Sequence, residues 1–224
     1  MKAELIHVYL MPGMAASSSI FENIKLPEDV FKIHYLEWEV PKLKETLEEY
    51  AERMAKTIPY ESPVLIGVSF GGILVQEMAK YISARKIIII SSVKSNKELP
   101  KRMLLAKYTK LHKLLPTGLV SNIELLAKYA FGDVSKKRLH LYEKYLSVRD
   151  KFYIDWSIDN IVNWQQCDAP LEVIHIHGDK DPVFPIGRIK NAINIKGGTH
   201  IMIINKYKWF NENLPLLILG KEKI

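Results

Sequence analysis

Short apolar runs alternate with amphipathic stretches along most of this sequence. Each apolar run has the length of a strand and is bounded by turn-forming residues. The run at 86–92, with isoleucine at 87–90, is apolar on both faces, which is typical of a strand in a parallel sheet. Strands are predicted at residues 5–10, 30–38, 63–68, 86–92, 171–177 and 192–195. A regular alternation of this kind predicts an α/β fold.

The segments between the strands have helical periodicity. Apolar side chains recur at three-to-four spacing in residues 41–58, where Pro41 suits a first helical turn. Helices are predicted at residues 17–26, 41–58, 71–83 and 185–190, and from 201 onward. Right-handed crossovers then place helices on both faces of a mostly parallel sheet, and ligands are expected at the carboxyl ends of its strands.

Residues 95–165 interrupt this alternation. They are rich in Leu and Lys and contain helical stretches without a convincing strand. A chain of 224 residues fits a single domain. We therefore predict an α/β core formed by 1–94 and 166–224, with 95–165 as a helical insertion.

The net charge of +7 is concentrated in and around this insertion. Residues 94–151 contain 14 Lys and Arg against 5 Asp and Glu, whereas the rest of the chain has 18 against 20. Such an excess could attract an anionic substrate by raising its local concentration, or it could be a solvated helix surface. Nucleic-acid binding is disfavoured, because no binding motif or alternation of aromatic and basic residues accompanies the charge.

The cysteine content and the N-terminus bear on location. Cys167 is the only cysteine, so no intramolecular disulfide can form and a reducing compartment is favoured. The first ten residues lack the pattern of a secretory signal, and no apolar run approaches 18 residues. We expect a cytoplasmic protein without a membrane span.

The pentapeptide Gly67-Val68-Ser69-Phe70-Gly71 follows a predicted strand and precedes a predicted helix. A turn this sharp forces the central Ser into strained backbone angles, and only glycines beside it leave room. Ser69 is therefore a candidate nucleophile.

Two further polar loops follow predicted strands. One is His177-Gly178-Asp179-Lys180-Asp181, in which both aspartates are candidate acids. The other is Gly197-Gly198-Thr199-His200, which precedes the last predicted helix. A Ser hydroxyl needs a His to take its proton, and that His needs an acid to orient it. The remaining histidines lack such a context, and His175 and His177 are interpreted as core or sheet-edge residues.

With these motifs in the order Ser, Asp, His, the sequence resembles the α/β-hydrolase superfamily over the whole chain. The resemblance implies a Ser69, Asp181, His200 catalytic triad, with Asp181 favoured over Asp179, and a nucleophile elbow at Ser69. It also implies an oxyanion hole formed by the backbone N–H groups of Phe70 and Met14. Many members have His-Gly in the loop before Met14. This chain has Pro12-Gly13, which is similar to thioesterase-like members.

The resemblance further implies a serine esterase or thioesterase that forms an acyl-enzyme on a small-molecule substrate with a small or medium acyl group. C–C bond or lactone hydrolysis and a non-catalytic ligand-binding role stay open as alternatives. No cofactor is expected, and a metal site at His177, Asp179 and Asp181 is disfavoured. Relatives have a helical cap over the active site, so 95–165 is expected to form one. Its apolar positions pack at helical spacing or line an acyl pocket: Leu104, Leu105, Leu111, Leu114, Leu115, Leu125, Leu126, Tyr129 and Phe131.

Overall fold

In the computed structural model, which describes residues 4–110, 113, 143–168 and 172–221, the strands form one parallel sheet. Its order is β2-β1-β3-β4-β5-β6, and every neighbouring pair is parallel. The predicted α/β fold is confirmed. The strands are β1 Ile6–Met11, β2 Phe31–Tyr35, β3 Val64–Val68, β4 Lys86–Ile90, β5 Val173–Gly178 and β6 Ile193–Ile195.

The central strands are apolar because helices and loops cover both faces of the sheet. Every residue of β3 is buried, as are Ile88, Ile89 and Ile90 of β4. Burial of each such aliphatic side chain stabilises the fold by about 1.5–3 kcal/mol. The sheet centre is therefore a rigid support for the loops at its carboxyl edge.

Six α-helices lie within the described residues. Their bounds are α1 Leu47–Ala55, α2 Phe70–Met78, α3 Lys101–Thr109, α4 Lys151–Asn163, α5 Met202–Asn205 and α6 Tyr207–Leu219. Single turns of 3₁₀ helix occur at Ser18–Phe21, Asn96–Glu98 and Ile186–Arg188. The predicted helices at 17–26 and 185–190 are wrong, since these segments form only single 3₁₀ turns. Such short stretches close few backbone hydrogen bonds.

The predicted helix at 41–58 is wrong at its N-terminal end, since α1 begins only at Leu47. Thr46 caps α1: its hydroxyl accepts from the Glu49 amide, and the Glu49 carboxylate accepts from the Thr46 amide. Upstream, Lys44 has a φ of 65°, which a right-handed helix cannot contain. The capping box therefore sets the start of α1.

Helices α3 and α4 lie in the predicted insertion and pack against each other. Leu104 packs against the core, whereas Leu105 is exposed. The division into a core and a cap at 95–165 stays a prediction. Seven of the apolar positions named above lie outside the described residues: Leu111, Leu114, Leu115, Leu125, Leu126, Tyr129 and Phe131.

Strands β1 and β3 are neighbours in the sheet, but the chain leaves them in opposite directions along it. From β1 it moves outward to β2, and from β3 it moves to β4 on the other side. A crevice opens at the carboxyl edge of a parallel sheet where the strand order reverses in this way. Met14 follows β1 and Ser69 follows β3, so both lie at this crevice.

Candidate active site

Ser69 occupies a sharp turn between β3 and α2. Its backbone has φ 53° and ψ −121°, a conformation that L-residues rarely adopt. Both backbone polar groups of Ser69 are hydrogen-bonded. Its amide donates to the Ile90 carbonyl at 2.9 Å, and its carbonyl accepts from the Ser92 hydroxyl at 2.7 Å. These bonds to the end of β4 keep the strained turn in place.

The glycines on either side of Ser69 are required by close backbone contacts. A Cβ atom at position 67 would lie 2.2 Å from the Gly71 carbonyl oxygen. A Cβ atom at position 71 would lie 2.3 Å from the Pro12 carbonyl oxygen. Both distances are far below van der Waals contact, so the turn accepts only glycine at these two positions, as the sequence motif predicted.

Asp181 lies in the loop after β5 and is buried. Its Oδ1 atom accepts hydrogen bonds from the backbone amides of Val183 at 2.8 Å and Phe184 at 2.9 Å. Its Oδ2 atom lies 2.9 Å from Nδ1 of His200. The carboxylate is thus held by its own loop on one side and meets the imidazole on the other.

His200, in the loop after β6, connects Asp181 to Ser69. A carboxylate only accepts, so His200 Nδ1 carries the proton that it donates to Asp181. In the neutral imidazole Nε2 then has a free lone pair, and it accepts from the Ser69 hydroxyl at 2.9 Å. The three predicted residues form one continuous hydrogen-bonded chain.

The pKa of Asp181 is lowered although the residue is buried. Burial alone would raise this pKa, but the charge and hydrogen bond of His200 and the amide hydrogen bond of Phe184 outweigh it. The carboxylate therefore stays ionised near neutral pH. An ionised acid is what a neighbouring imidazole needs when it takes up a proton.

Asp179, the competing candidate acid, has a different set of contacts. Its Oδ1 accepts from the Gly197 amide at 2.6 Å. The Lys180 amide in turn donates to the Gly198 carbonyl at 2.9 Å. Asp179 therefore ties the loop after β5 to the loop that contains His200, whereas Asp181 contacts the imidazole itself.

The predicted oxyanion donors, Phe70 and Met14, lie on the two loops that meet at Ser69. Phe70 is the first residue of α2, and Met14 follows Gly13, whose α-carbon lies close enough that a Cβ there would contact the Ser69 Cβ at 3.2 Å. Within the described part of the chain, neither backbone N–H donates to a protein acceptor. Both amides are thus available to a ligand.

The loop after β1, which contains Gly13, Met14 and Ala15 and is called the Met14 loop below, is held by two residues that sequence reasoning missed. The Trp38 indole N–H donates to the Gly13 carbonyl at 2.8 Å, and the Ala15 amide donates to the Tyr153 hydroxyl at 3.4 Å. Ala15 itself has a φ of 64°. Trp38 follows β2 and Tyr153 belongs to α4, so no local sequence signal connected either residue with this loop.

A cavity of about 80 Å³ opens beside Ser69 and His200. Its lining is almost wholly apolar. Among the described residues that line it, only His200 and Tyr145 have ionisable side chains. The wall is formed by residues from the loop after β1, which contains Met14, from the loop after β5, which contains Asp181, and from α3, α4 and α5. They include Ala16, Ile20, Met103, Leu146, Phe184 and Ile203.

The remaining histidines and the cysteine are not part of this arrangement. His7 stacks on both Tyr60 and His34, and Cys167 is exposed. His112 and His140 lie outside the described residues. In the described ranges, no group of His, Cys, Asp and Glu is suited to hold a metal ion.

Comparison with solved structures identifies the fold. An esterase from Thermogutta terrifontis is similar with a TM-score of 0.69 and 12% identity, over 96% of this chain and 90% of the esterase. An esterase from Exiguobacterium antarcticum is similar with a TM-score of 0.68 and 14% identity, over 96% of this chain and 92% of the esterase. A bromoperoxidase from Bacillus anthracis is similar with a TM-score of 0.67 and 20% identity, over 96% of this chain and 92% of the bromoperoxidase. No protein-family model matches the sequence, and neither does any curated protein.

The chain has the α/β-hydrolase fold. The resemblance inferred from the sequence is confirmed at this level. None of the helices in residues 4–110, 143–168 and 172–221 is long and apolar enough to cross a membrane. The cytoplasmic location stays a prediction from the sequence.

Proposed function

We propose that this protein is a serine hydrolase that cleaves a carboxylic ester or thioester through an acyl-enzyme. The observation that carries the proposal is the hydrogen-bonded chain from Asp181 through His200 to Ser69. It ends on a serine that is held in a strained turn beside an apolar cavity. This combination of nucleophile, base, acid and acyl-sized space is what acyl transfer requires.

In the first half of the reaction, the Ser69 Oγ attacks the substrate carbonyl carbon. His200 Nε2 takes the hydroxyl proton, and ionised Asp181 stabilises the imidazolium through the Nδ1 hydrogen bond. The carbonyl oxygen becomes an oxyanion, which the amides of Phe70 and Met14 stabilise. When the tetrahedral intermediate collapses, the bond to the alcohol or thiol breaks and His200 gives its proton to that leaving group.

The second half releases the acyl group. Water attacks the acyl carbonyl carbon while His200 Nε2 accepts one of its protons. The new tetrahedral intermediate breaks the bond to Ser69, and the proton returns from His200 to the serine oxygen. The products are the carboxylic acid and the free enzyme, so no cofactor takes part.

The cavity supports a small or medium apolar acyl group as the substrate. A volume of about 80 Å³ with apolar walls suits a short hydrocarbon chain better than a charged one. Several basic side chains in and beside the predicted cap pair with acids instead: Lys97 with Asp168, Lys144 with Glu22 and Lys151 with Asp155. These pairs favour the solvated-surface interpretation of the charge over attraction of an anionic substrate.

Contacts between residues 145–148 of the insertion and the loop after β1 support a cap function for residues 95–165. The Ser17 amide donates to the Tyr145 carbonyl at 3.1 Å, and the Val148 amide donates to the Ala15 carbonyl at 3.0 Å. Tyr145 and Leu146 also line the cavity. The segment of the insertion that precedes α4 thus forms part of the acyl pocket.

A fluorophosphonate probe tests the proposal, because it labels serines that are activated as nucleophiles. We expect labelling of the native protein and none in Ser69→Ala. The exposed Ser83→Ala, which makes the same chemical change far from the site, is the matched control and should label normally. Absence of labelling in the folded native protein would contradict the proposal and favour a ligand-binding role.

The substrate class is tested with p-nitrophenyl esters of graded chain length and with acyl-CoA thioesters. We expect hydrolysis of short-chain esters, and the relative rates with thioesters then separate esterase from thioesterase. Labelling of Ser69 without hydrolysis of any ester or thioester would favour the C–C bond or lactone hydrolase alternative.

A further inference from the structure

Two buried histidines lie close to Asp181, and neither of them lines the substrate cavity. His175 and His177 are two residues apart on β5, so their side chains lie on the same face of the sheet. Their exposed fractions are 2% and 0%. The mechanism above uses neither of them, although a fully buried imidazole is costly unless it is hydrogen-bonded.

The protons on these rings can be assigned from their partners. His177 Nε2 lies 2.8 Å from the carbonyl oxygen of Phe184, which only accepts, so Nε2 carries a proton. In the neutral ring His177 Nδ1 is then an acceptor. His175 Nε2 lies 3.1 Å away and donates to it. The direction of donation thus runs from His175 to His177 to Phe184.

Both rings are held neutral by their surroundings. Burial lowers the pKa of His177, and burial together with the neighbouring His177 lowers the pKa of His175 to about 2. Each imidazole therefore keeps one donor and one acceptor. The fixed tautomer of His177 aims its N–H at Phe184.

The Phe184 residue links His177 to the acid. Its carbonyl accepts from His177, and its amide donates to Asp181 Oδ1 at 2.9 Å. His177 Nε2 also lies 3.6 Å from Asp181 Oδ2, the oxygen that accepts from His200. The imidazole thus lies against both the carboxylate and the residue that holds it.

We propose that His177 is a positioning residue, which fixes the loop 181–184 so that the Asp181 carboxylate meets His200 in the geometry that catalysis needs. This inference rests on the proposed serine-hydrolase function. An apolar side chain at 177 could fill the volume but would leave the buried Phe184 carbonyl without its donor. The loop would then gain freedom to rotate, and Asp181 Oδ2 would move relative to His200.

Two substitutions separate the hydrogen bond from the packing. His177→Gln keeps an N–H donor at a reach close to that of Nε2, whereas His177→Leu fills the space without a donor. In His177→Leu we expect kcat for p-nitrophenyl butyrate to fall by about tenfold to a hundredfold, because small misplacements of catalytic groups have effects of this size. KM should change less than kcat, because Val183 and Phe184 are only two of the residues that line the acyl cavity. His177→Gln should recover most of the lost kcat.

Ile176→Val is the control for a general effect of altering β5. Ile176 is fully buried in the same strand, and the change removes one methyl group. We expect it to lower the unfolding free energy in urea while leaving kcat unchanged. If His177→Gln and His177→Leu lose kcat equally, or if Ile176→Val loses as much kcat as His177→Leu, the positioning role is overturned.

A proton NMR measurement tests the inference without relying on activity. The His200 Nδ1 proton, held between imidazole and carboxylate, should give a low-field resonance that disappears in His200→Gln. We expect it to broaden or shift in His177→Leu and to persist in His177→Gln. An unchanged resonance in His177→Leu would overturn the positioning role. Ester hydrolysis that is unaffected by Ser69→Ala would instead overturn the proposed function, so the two failures are distinguishable.

Discussion

The Trp38 indole nitrogen donates a 2.8 Å hydrogen bond to the carbonyl oxygen of Gly13. Trp38 follows β2 and Gly13 follows β1, so this contact joins two neighbouring loops at the carboxyl edge of the sheet. The Trp38 ring also stacks on Phe70, with centroids 5.0 Å apart and ring planes 7° from parallel. One side chain thus supports both loops that present the proposed oxyanion donors.

Substitution Trp38→Phe should lower kcat by about tenfold, because the phenyl ring can stack on Phe70 but cannot donate to Gly13. This expected loss of kcat is smaller than the loss caused by removing an oxyanion donor, because the Met14 amide is displaced but still present. The measurement is the steady-state hydrolysis of p-nitrophenyl butyrate, with the unfolding free energy determined in parallel.

Trp209→Phe is the matched control, since Trp209 lies in α6, away from the cavity. It makes the same chemical change and should leave kcat within about twofold of the native value. Equal kcat in Trp38→Phe and the native protein would show that the Gly13 hydrogen bond does not position the Met14 loop.

The sequence predicted the sheet well because each strand has a local signature. All six predicted strands are present, and the isoleucine run became β4. Ser69 and His200 could be proposed because each lies in a short motif at a strand end. Such a motif predicts the conformation of its own turn without knowledge of contacts with distant parts of the chain.

Contacts between distant segments could not be predicted in this way. Trp38 and Tyr153 lie far in sequence from residues 13–15, which they contact, and nothing in their local pattern points to those partners. His177 contacts Phe184, seven residues away, but that contact depends on how the intervening loop folds back. The choice between Asp179 and Asp181 rested on a family resemblance. The structure brings Asp181 to His200 and Asp179 to Gly197, which depends on the path of two loops in space.

Comparison of the two aspartates gives a second prediction. Asp181→Asn should lower kcat by about four orders of magnitude, since an amide cannot stabilise the imidazolium and favours the wrong tautomer of His200. Asp179→Asn should retain kcat within about tenfold, because its oxygen can still accept from Gly197. The test is kcat for p-nitrophenyl butyrate with purified variants of matched thermal stability. The reverse order of losses would make Asp179 the acid.

A third prediction concerns the pH dependence of stability through Glu45. Its side chain is 5% exposed, and both carboxylate oxygens accept from Arg53, at 2.8 and 3.0 Å. The hydrogen bonds from Arg53 lower the pKa of Glu45 below 4.5, although burial opposes them. A lowered pKa in the folded state stabilises the protein above pH 4.5, and this contribution is lost as the pH falls through the folded value.

Glu45→Gln should therefore cost about 1.5–3 kcal/mol of unfolding free energy at pH 7, the size of a hydrogen bond to a charged group. At pH 3 the difference between variant and native protein should be smaller, because the Glu45 carboxylate binds a proton in the unfolded state below about pH 4.5, whereas its lowered pKa opposes protonation in the folded state. Urea unfolding at both pH values measures this. Glu52→Gln, at a side chain that is 42% exposed, serves as the control and should change stability by less than about 0.5 kcal/mol. A Glu45→Gln deficit that does not shrink at pH 3 would contradict the charge-based account.

The acyl cavity gives the last prediction, on chain-length preference. Leu146 is 6% exposed and lines the cavity, so Leu146→Ala should enlarge it. We expect the ratio of kcat/KM for p-nitrophenyl octanoate to that for the butyrate to rise about tenfold, since added methylenes in an apolar pocket have effects of this size. Ala16→Leu, which fills the same cavity, should lower the ratio. Leu214 in α6 is also buried but does not line the cavity, so Leu214→Ala should lower stability without moving the ratio. A ratio that responds alike to Leu146→Ala and Leu214→Ala would show that the acyl chain binds elsewhere.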